Sequence, residues 1–192
     1  MIKITFILTL SILICSCSSL GGGGESGKTR FYSISPIIQS GHKTSQLHLG
    51  VGPVRIPMLL RRPQIISRIG HNELKISEKH HWAGSLREDI TQALLDDIAS
   101  LTGTPNIEKF PWRRSFKPNY QIRIQLEQLD GQLGGTVTLK ARWWLRKENQ
   151  KKDFLSQHTI LQVTTKGNDY THYVAAQSEA IFQLAKRITQ AF

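Results

Sequence analysis

Alternating apolar and polar side chains between residues 120 and 146 constrain the fold of this 192-residue chain more than any other feature. Residues 120–126 alternate in this way, and residues 137–145 repeat the pattern after a glycine-containing stretch. A period of two places apolar side chains on one face of a β-sheet and polar side chains on the other. Together with a third strand predicted at residues 154–165, the pattern predicts an antiparallel meander covered on one side.

Two amphipathic helices are predicted around this meander. In residues 86–101, apolar side chains recur at spacings of three and four, which predicts the first helix. Ser85 and Glu88 have the spacing of a capping box at its start, and Gly103 is predicted to end it. A second helix is predicted from about residue 171 to 191. On the first helix, the face opposite these apolar side chains is charged, and we expect it in solvent. Its residues are Arg87, Glu88, Asp89, Asp96 and Asp97.

Shorter extended segments are predicted ahead of the first helix, at residues 31–34, 47–51, 65–66 and 74–76. The order is therefore strands, a helix, more strands and a final helix. This order predicts an α/β fold, a single-domain sandwich of two or three layers. Its mixed sheet would contain the antiparallel meander, and two main helices would cover it.

The N-terminus has the pattern of an export signal. Lys3 precedes an apolar run at residues 4–14, which is shorter than the roughly 20 residues that span a bilayer. Residues 14–17 resemble the lipobox of bacterial lipoproteins, because the small Ser16 directly precedes Cys17. We expect cleavage after Ser16 and lipid on Cys17. An ordinary secretory signal is the alternative, but its Ala-x-Ala site is absent.

This interpretation divides the chain into three parts. Residues 1–16 are the signal peptide, residues 17–30 are the lipidated cysteine and a Gly/Ser-rich tether, and residues 31–192 are the folded domain. Because Cys15 leaves with the signal and Cys17 carries lipid, the mature chain has no thiol for a disulfide. Loss of Lys3 lowers the formal net charge from +11 to +10.

The positive charge of the mature chain favours anionic partners. An exported chain meets phospholipid and lipopolysaccharide headgroups or acidic proteins rather than nucleic acid. The export signal therefore argues against a nucleic-acid partner.

Residues 22–29 match the phosphate-binding pattern G-x-x-x-x-G-K-[ST] letter for letter. Such a loop works only between a strand and a helix, where backbone N–H groups converge on phosphate. Here residues 31–34 read as a strand instead of a helix. We therefore expect no nucleotide site at Lys28.

The sequence predicts no catalytic residues, no metal site and no cofactor. His80 and His81 are adjacent and would point to opposite sides of a strand, and no cysteine remains as a ligand. A G-x-S-x-G nucleophile elbow is also absent.

Several motifs resemble those of the ABC-type transport auxiliary lipoproteins of the paraquat-inducible protein C type. The residues that carry this resemblance are Gly52-Pro53-Val54-Arg55-Ile56-Pro57, Leu60-Arg61-Arg62-Pro63-Gln64-Ile65-Ile66-Ser67-Arg68, Glu73-Leu74 and Trp82-Ala83-Gly84-Ser85-Leu86. Similar segments extend to the final helix, so the resemblance covers nearly the whole mature chain.

The resemblance implies an auxiliary or adaptor role in lipid transport between two membranes, without catalysis. The implied partner is a periplasmic MCE-type protein that an inner-membrane complex anchors.

The residue after Cys17 bears on localisation. An Asp at this position would resemble the inner-membrane retention signal, but the residue is Ser18, so we expect the protein in the outer membrane. The outer leaflet of the inner membrane is the alternative. Direct binding of lipid or lipopolysaccharide in a basic, aromatic groove is the other functional hypothesis. Homo-oligomer formation is left open.

The candidate partner-binding residues are Arg62, Arg68 and Trp82. The two arginines lie in a stretch without acidic residues from position 55 to 72, and arginine suits the recognition of carboxylate or phosphate. A merely solubilising loop is the alternative for the arginines. For Trp82 the alternative is a core position or a hydrophobic staple ahead of the helix.

Overall fold

A computed structural model describes residues 28–39, 45–148 and 150–192. The proposed signal peptide, Cys17 and most of the tether lie outside these residues. The described part contains eight strands and two α-helices: β1 (Arg30–Tyr32), β2 (Leu49–Arg55), β3 (Gln64–Arg68), β4 (Leu74–Trp82), α1 (Leu86–Thr102), β5 (Ile107–Lys109), β6 (Tyr120–Gly131), β7 (Thr136–Lys147), β8 (Leu155–Thr164) and α2 (Tyr170–Thr189). A 3-10 turn at Met58–Leu60 connects β2 to β3.

The predicted meander forms most of a five-stranded sheet with the order β5-β2-β6-β7-β8. Strands β6, β7 and β8 pair antiparallel, whereas β2 runs parallel to both β5 and β6. The predicted alternation is confirmed, since Ile122, Ile124 and Leu126 are buried and Gln125 and Glu127 are exposed. One face of this sheet is therefore apolar.

A second, three-stranded sheet has the order β1-β4-β3. Strand β1 runs parallel to β4, and β3 runs antiparallel to it. The extended segment predicted at residues 74–76 continues through nine residues to Trp82. The Tyr32 hydroxyl lies 2.8 Å from His80 Nδ1, which fixes β1 against the sheet. The α/β class with two main helices is confirmed, and the strands divide between two mixed sheets.

Both helices pack on each other and on the apolar side of the five-stranded sheet. Helix α1 ends as predicted at Gly103, whose positive φ of 68° lets its amide donate to the Ala99 carbonyl. The predicted capping box is wrong. Ser85 occupies the N-cap, but its hydroxyl makes no capping hydrogen bond, and the Glu88 carboxylate pairs with Arg87.

The expected solvent position of Asp97 is also wrong, because this side chain is fully buried. Residues 33–39 run along α1, with Ser33 bonded to Asp89 near its start and Gln39 to Ser100 near its end, and the Ile37 amide donates to Asp97 Oδ1 at 2.7 Å. Asp97 Oδ2 has no hydrogen-bond partner among the described residues. Burial raises the pKa of this carboxyl to about 6, and nearby Asp96 and Glu179 act in the same direction.

Candidate functional site

Four arginines line a groove of about 520 Å³ between the end of β2 and the start of α1. We call it the arginine groove, and its cationic residues are Arg55, Arg61, Arg62 and Arg87. The β2 strand supplies the first, the turn before β3 supplies the next two, and the first turn of α1 supplies the last. Arg62 is the only one of the three sequence-predicted binding residues that lines this groove.

The guanidinium groups of the arginine groove have few internal partners. Arg62 Nε donates to the Leu59 carbonyl at 3.2 Å, and Arg87 pairs with exposed Glu88 at 2.8 Å. Arg55, Arg61 and Arg62 form no ion pair with any residue of the described ranges. The groove is therefore a concave surface with uncompensated positive charge.

Arg68 has a different environment at the far end of β3. Its Nε and Nη2 atoms donate to the two carboxylate oxygens of Asp130 at 2.6 and 3.2 Å, and Nη1 donates to the His71 carbonyl. Asp130 is only 4% exposed and also accepts from the Gln128 amide. The hydrogen bond that Arg68 donates to Asp130 raises the pKa of Arg68. Arg68 thus joins the end of β3 to β6.

The phenol of Tyr173 on α2 joins the same two strands from the core. Its hydroxyl donates to the Ile66 carbonyl at 2.9 Å and accepts from the Gly131 amide at 3.0 Å. Burial raises the pKa of this phenol, so the hydroxyl remains protonated as a donor. The Arg68–Asp130 pair and the Tyr173 hydroxyl together hold the two sheets in register.

Trp82 is the last residue of β4 and is 5% exposed within the core. Its amide donates to the Pro63 carbonyl at 2.7 Å, which ties the end of β4 to the turn that carries Arg62. Partner binding through Arg62, Arg68 and Trp82 stays a prediction, and only Arg62 presents its side chain in the arginine groove.

The polar face of the meander is a second basic surface, which we call the open face. In one row across the strands, Gln125, Arg142 and His158 lie side by side. Glu127 accepts from Arg142 Nε at 2.7 Å and lies 3.0 Å from His158 Nε2. The bond from Arg142 holds the pKa of Glu127 below its usual value.

Further along the open face, arginine and tryptophan interact. The Arg123 guanidinium lies 5.5 Å from the centre of the Trp144 ring and pairs with Asp153, which also pairs with Arg146 at 3.2 Å. With Lys140 and Arg142, this face presents four cationic side chains against two carboxylates. Arg55 lines a pocket with Arg123 and Trp144, and it also lines the arginine groove, so the two basic surfaces meet at this residue.

Within residues 28–39, 45–148 and 150–192, no three His, Cys, Asp or Glu side chains gather as metal ligands. No helix of that part of the chain is long and apolar enough to cross a membrane. The P-loop-like segment is followed by β1, as predicted from the sequence, although residues 22–27 lie outside the described ranges.

Solved structures share this fold at low sequence identity. One, described as an uncharacterized protein, has a TM-score of 0.71 and 14% identity, and the match covers 86% of this chain and 99% of that one. Protein XCC0632 from Xanthomonas campestris, described as DUF330, has a TM-score of 0.68 and 13% identity, with 84% and 93% covered. At these identities the likeness shows the fold alone.

No curated protein matches the sequence. A family model does match, over residues 32–189, and its description is "ABC-type transport auxiliary lipoprotein component". That match spans β1 to the end of α2 and so covers almost all of the folded domain. The chain belongs to the ABC-type transport auxiliary lipoprotein family.

Proposed function

We propose that this chain is a non-catalytic adaptor of an MCE-type lipid transport system that links the two membranes of the envelope and supports their integrity. Lipid on Cys17 would hold it in the outer membrane, facing the periplasm. The family supplies the association with an ABC-type transporter. Lipobox-like residues 14–17 and Ser18 support the anchor and its sorting, and they lie outside the described residues.

The observation that carries the proposal is the basic, uncovered face of the five-stranded sheet. An adaptor acts through contacts, and both helices of this fold cover the other side of that sheet. The open face carries Arg123, Lys140, Arg142 and Arg146 and the half-buried Trp144. Arginine and tryptophan are the residues that most often carry binding energy at protein interfaces.

We place the docking of the MCE-type protein on this open face, with an acidic surface of the partner against it. Complementary charge speeds association and selects the partner. Arg62 would extend the contact from the arginine groove at the edge of the face. Arg68 and Trp82 would contribute by holding β3 and β4 in place, since their side chains are engaged within the domain.

Co-purification tests this proposal in cells. An affinity-tagged, full-length precursor should be processed and should retain an MCE-type protein in a mild detergent. The Lys140→Gln, Arg142→Gln variant should be lipidated normally but retain much less of that protein. A matched control is Lys151→Gln, Lys152→Gln, which removes the same charge from the exposed β7–β8 turn. Recovery of tightly bound lipid with no MCE-type protein in any sample would contradict the adaptor role.

A further inference from the structure

The arginine groove combines cationic walls with an apolar floor. Three of its lining residues are core side chains, at 5%, 4% and 3% exposure: Val54, Ile56 and Leu86. Its cationic residues approach from three separate elements, β2, the turn at residues 61–63 and α1. A cavity with cationic walls and an apolar floor suits a ligand that is itself charged at one end and apolar at the other.

Three of the four cationic residues of the arginine groove lack a counterion among the described residues. Arginine remains protonated in proteins, so Arg55, Arg61 and Arg62 bring three full charges to one concavity. None of them pairs with a carboxylate of the described residues, whereas Arg68, Arg123, Arg142 and Arg146 all do. Like charges held together without a counterion repel one another, and a bound anion would remove that cost.

Several donors converge on the arginine groove. Arginine presents five N–H groups, and the planar fork matches two oxygens of a phosphate at once. The start of α1 adds to this, because Ser85 makes no capping bond and the first-turn amides have no partner within the helix. The positive charge of Arg87 is partly compensated by its ion pair with Glu88, so this residue attracts an anion in the groove less strongly. Guanidinium forks from separate elements suit a phosphate, whose oxygens point in several directions, better than the two coplanar oxygens of one carboxylate.

We propose that the arginine groove is a binding site for a phosphate group, either free phosphate or the phosphate of a lipid headgroup. Arg55, Arg61 and Arg62 hold the phosphate oxygens, and the α1 N-terminus supplies backbone donors. Ile56 and Leu86 contact the carbon atoms of an attached ester. This site does not require the proposed docking on the open face, so either proposal can fail without the other.

The test is calorimetric titration of purified mature protein in a maltoside detergent, which has no phosphate. One arm uses inorganic phosphate, and the second uses monomeric dihexanoyl phosphatidylglycerol. Saturable binding in either arm supports the site: tighter binding of the lipid assigns it to headgroups, and equal binding assigns it to free phosphate. The Arg61→Gln, Arg62→Gln variant should bind at least about tenfold more weakly, because hydrogen bonds to charged groups are the strong ones.

Two controls keep the result specific. Lys151→Gln, Lys152→Gln removes the same charge from residues that do not line the arginine groove and should leave the affinity unchanged. Circular dichroism should show that both variants are folded. An equal loss of affinity in both variants would mean general attraction by a basic protein, which overturns the site. Absence of saturable binding in both arms, or binding of a glutamate-rich peptide in their place, would also overturn it.

Discussion

Arg68 donates hydrogen bonds to both carboxylate oxygens of Asp130 and so joins the end of β3 to the end of β6. The two residues are 62 positions apart, and they connect the three-stranded sheet to the five-stranded sheet. The Asp130 carboxylate is almost fully buried, and Arg68 is the cation that pairs with it among the described residues. The pair is therefore a structural element of the fold.

Arg68→Ala should destabilise the domain by about 3 kcal/mol, because it leaves a buried carboxylate without its cation; the value is at the low end for a buried pair because Arg68 is itself partly exposed. Urea unfolding at pH 7 measures this. The matched control is Arg142→Ala, which breaks the more exposed pair with Glu127 and should cost less than about 1 kcal/mol. Equal losses in the two variants would contradict the structural role of Arg68.

Tyr173→Phe should cost about 2 kcal/mol, although only a hydroxyl is removed. The phenylalanine ring fills the same space, but the Ile66 carbonyl and the Gly131 amide both lose a buried partner. Tyr120→Phe is a suitable control, since that residue is only partly buried. A loss below about 0.5 kcal/mol for Tyr173→Phe would show that the hydroxyl does not join the sheets.

The elements that depend on local pattern were predictable from the sequence. The meander follows from side-chain alternation, and α1 follows from its apolar spacing and Gly103. The same spacing also places Asp97 in the core, because it lies four residues after Ala93 on the buried stripe. A charged residue at a core position indicates a buried partner, here the Ile37 amide.

The candidate site was less predictable because it depends on distant pairing. Nothing near Arg68 in the sequence identifies Asp130 as its partner. Likewise, Arg55 and Arg87 meet Arg62 only because β2 packs beside α1. The sequence pattern predicts one cluster from a stretch of arginines without acidic neighbours. In the fold, however, Arg62 lies just before β3 and Arg68 is the last residue of that strand.

Asp97 should make the stability of the domain depend on pH. Its pKa is about 6 in the folded domain and near its usual 3.8 when unfolded, so the folded state binds the proton more tightly. Its stabilising contribution is complete below about pH 4, falls as the pH rises to about 6, and is constant above that. Protonation therefore favours the fold in this window.

Asp97→Asn removes this titration and should flatten the fall in unfolding free energy between pH 4 and pH 7. The amide oxygen can still accept from Ile37, so the variant should be at least as stable as the original at pH 7. Asp96→Asn, which alters the neighbouring carboxyl, should retain most of the fall. Urea unfolding across this range would contradict the account if the Asp97→Asn and original profiles were parallel.

Cys17→Ser should abolish lipid labelling and leave an unprocessed or soluble form, because the thioether needs that sulfur. Palmitate incorporation in cells measures it. Cys15→Ser is the control and should be labelled normally, since residue 15 would leave with the signal peptide. Normal labelling of Cys17→Ser would refute the proposed anchor.

Binding of the mature protein to the periplasmic domain of its MCE-type partner tests the adaptor account most directly. Measured at low and at physiological ionic strength, the association rate should fall with added salt, because complementary charge steers the encounter. Lys140→Gln, Arg142→Gln should bind more slowly and with less salt dependence, and Arg62→Gln should add a smaller loss. Lys151→Gln, Lys152→Gln should bind as the original does. Unchanged rates at both ionic strengths in a folded Lys140→Gln, Arg142→Gln variant would contradict docking on the open face.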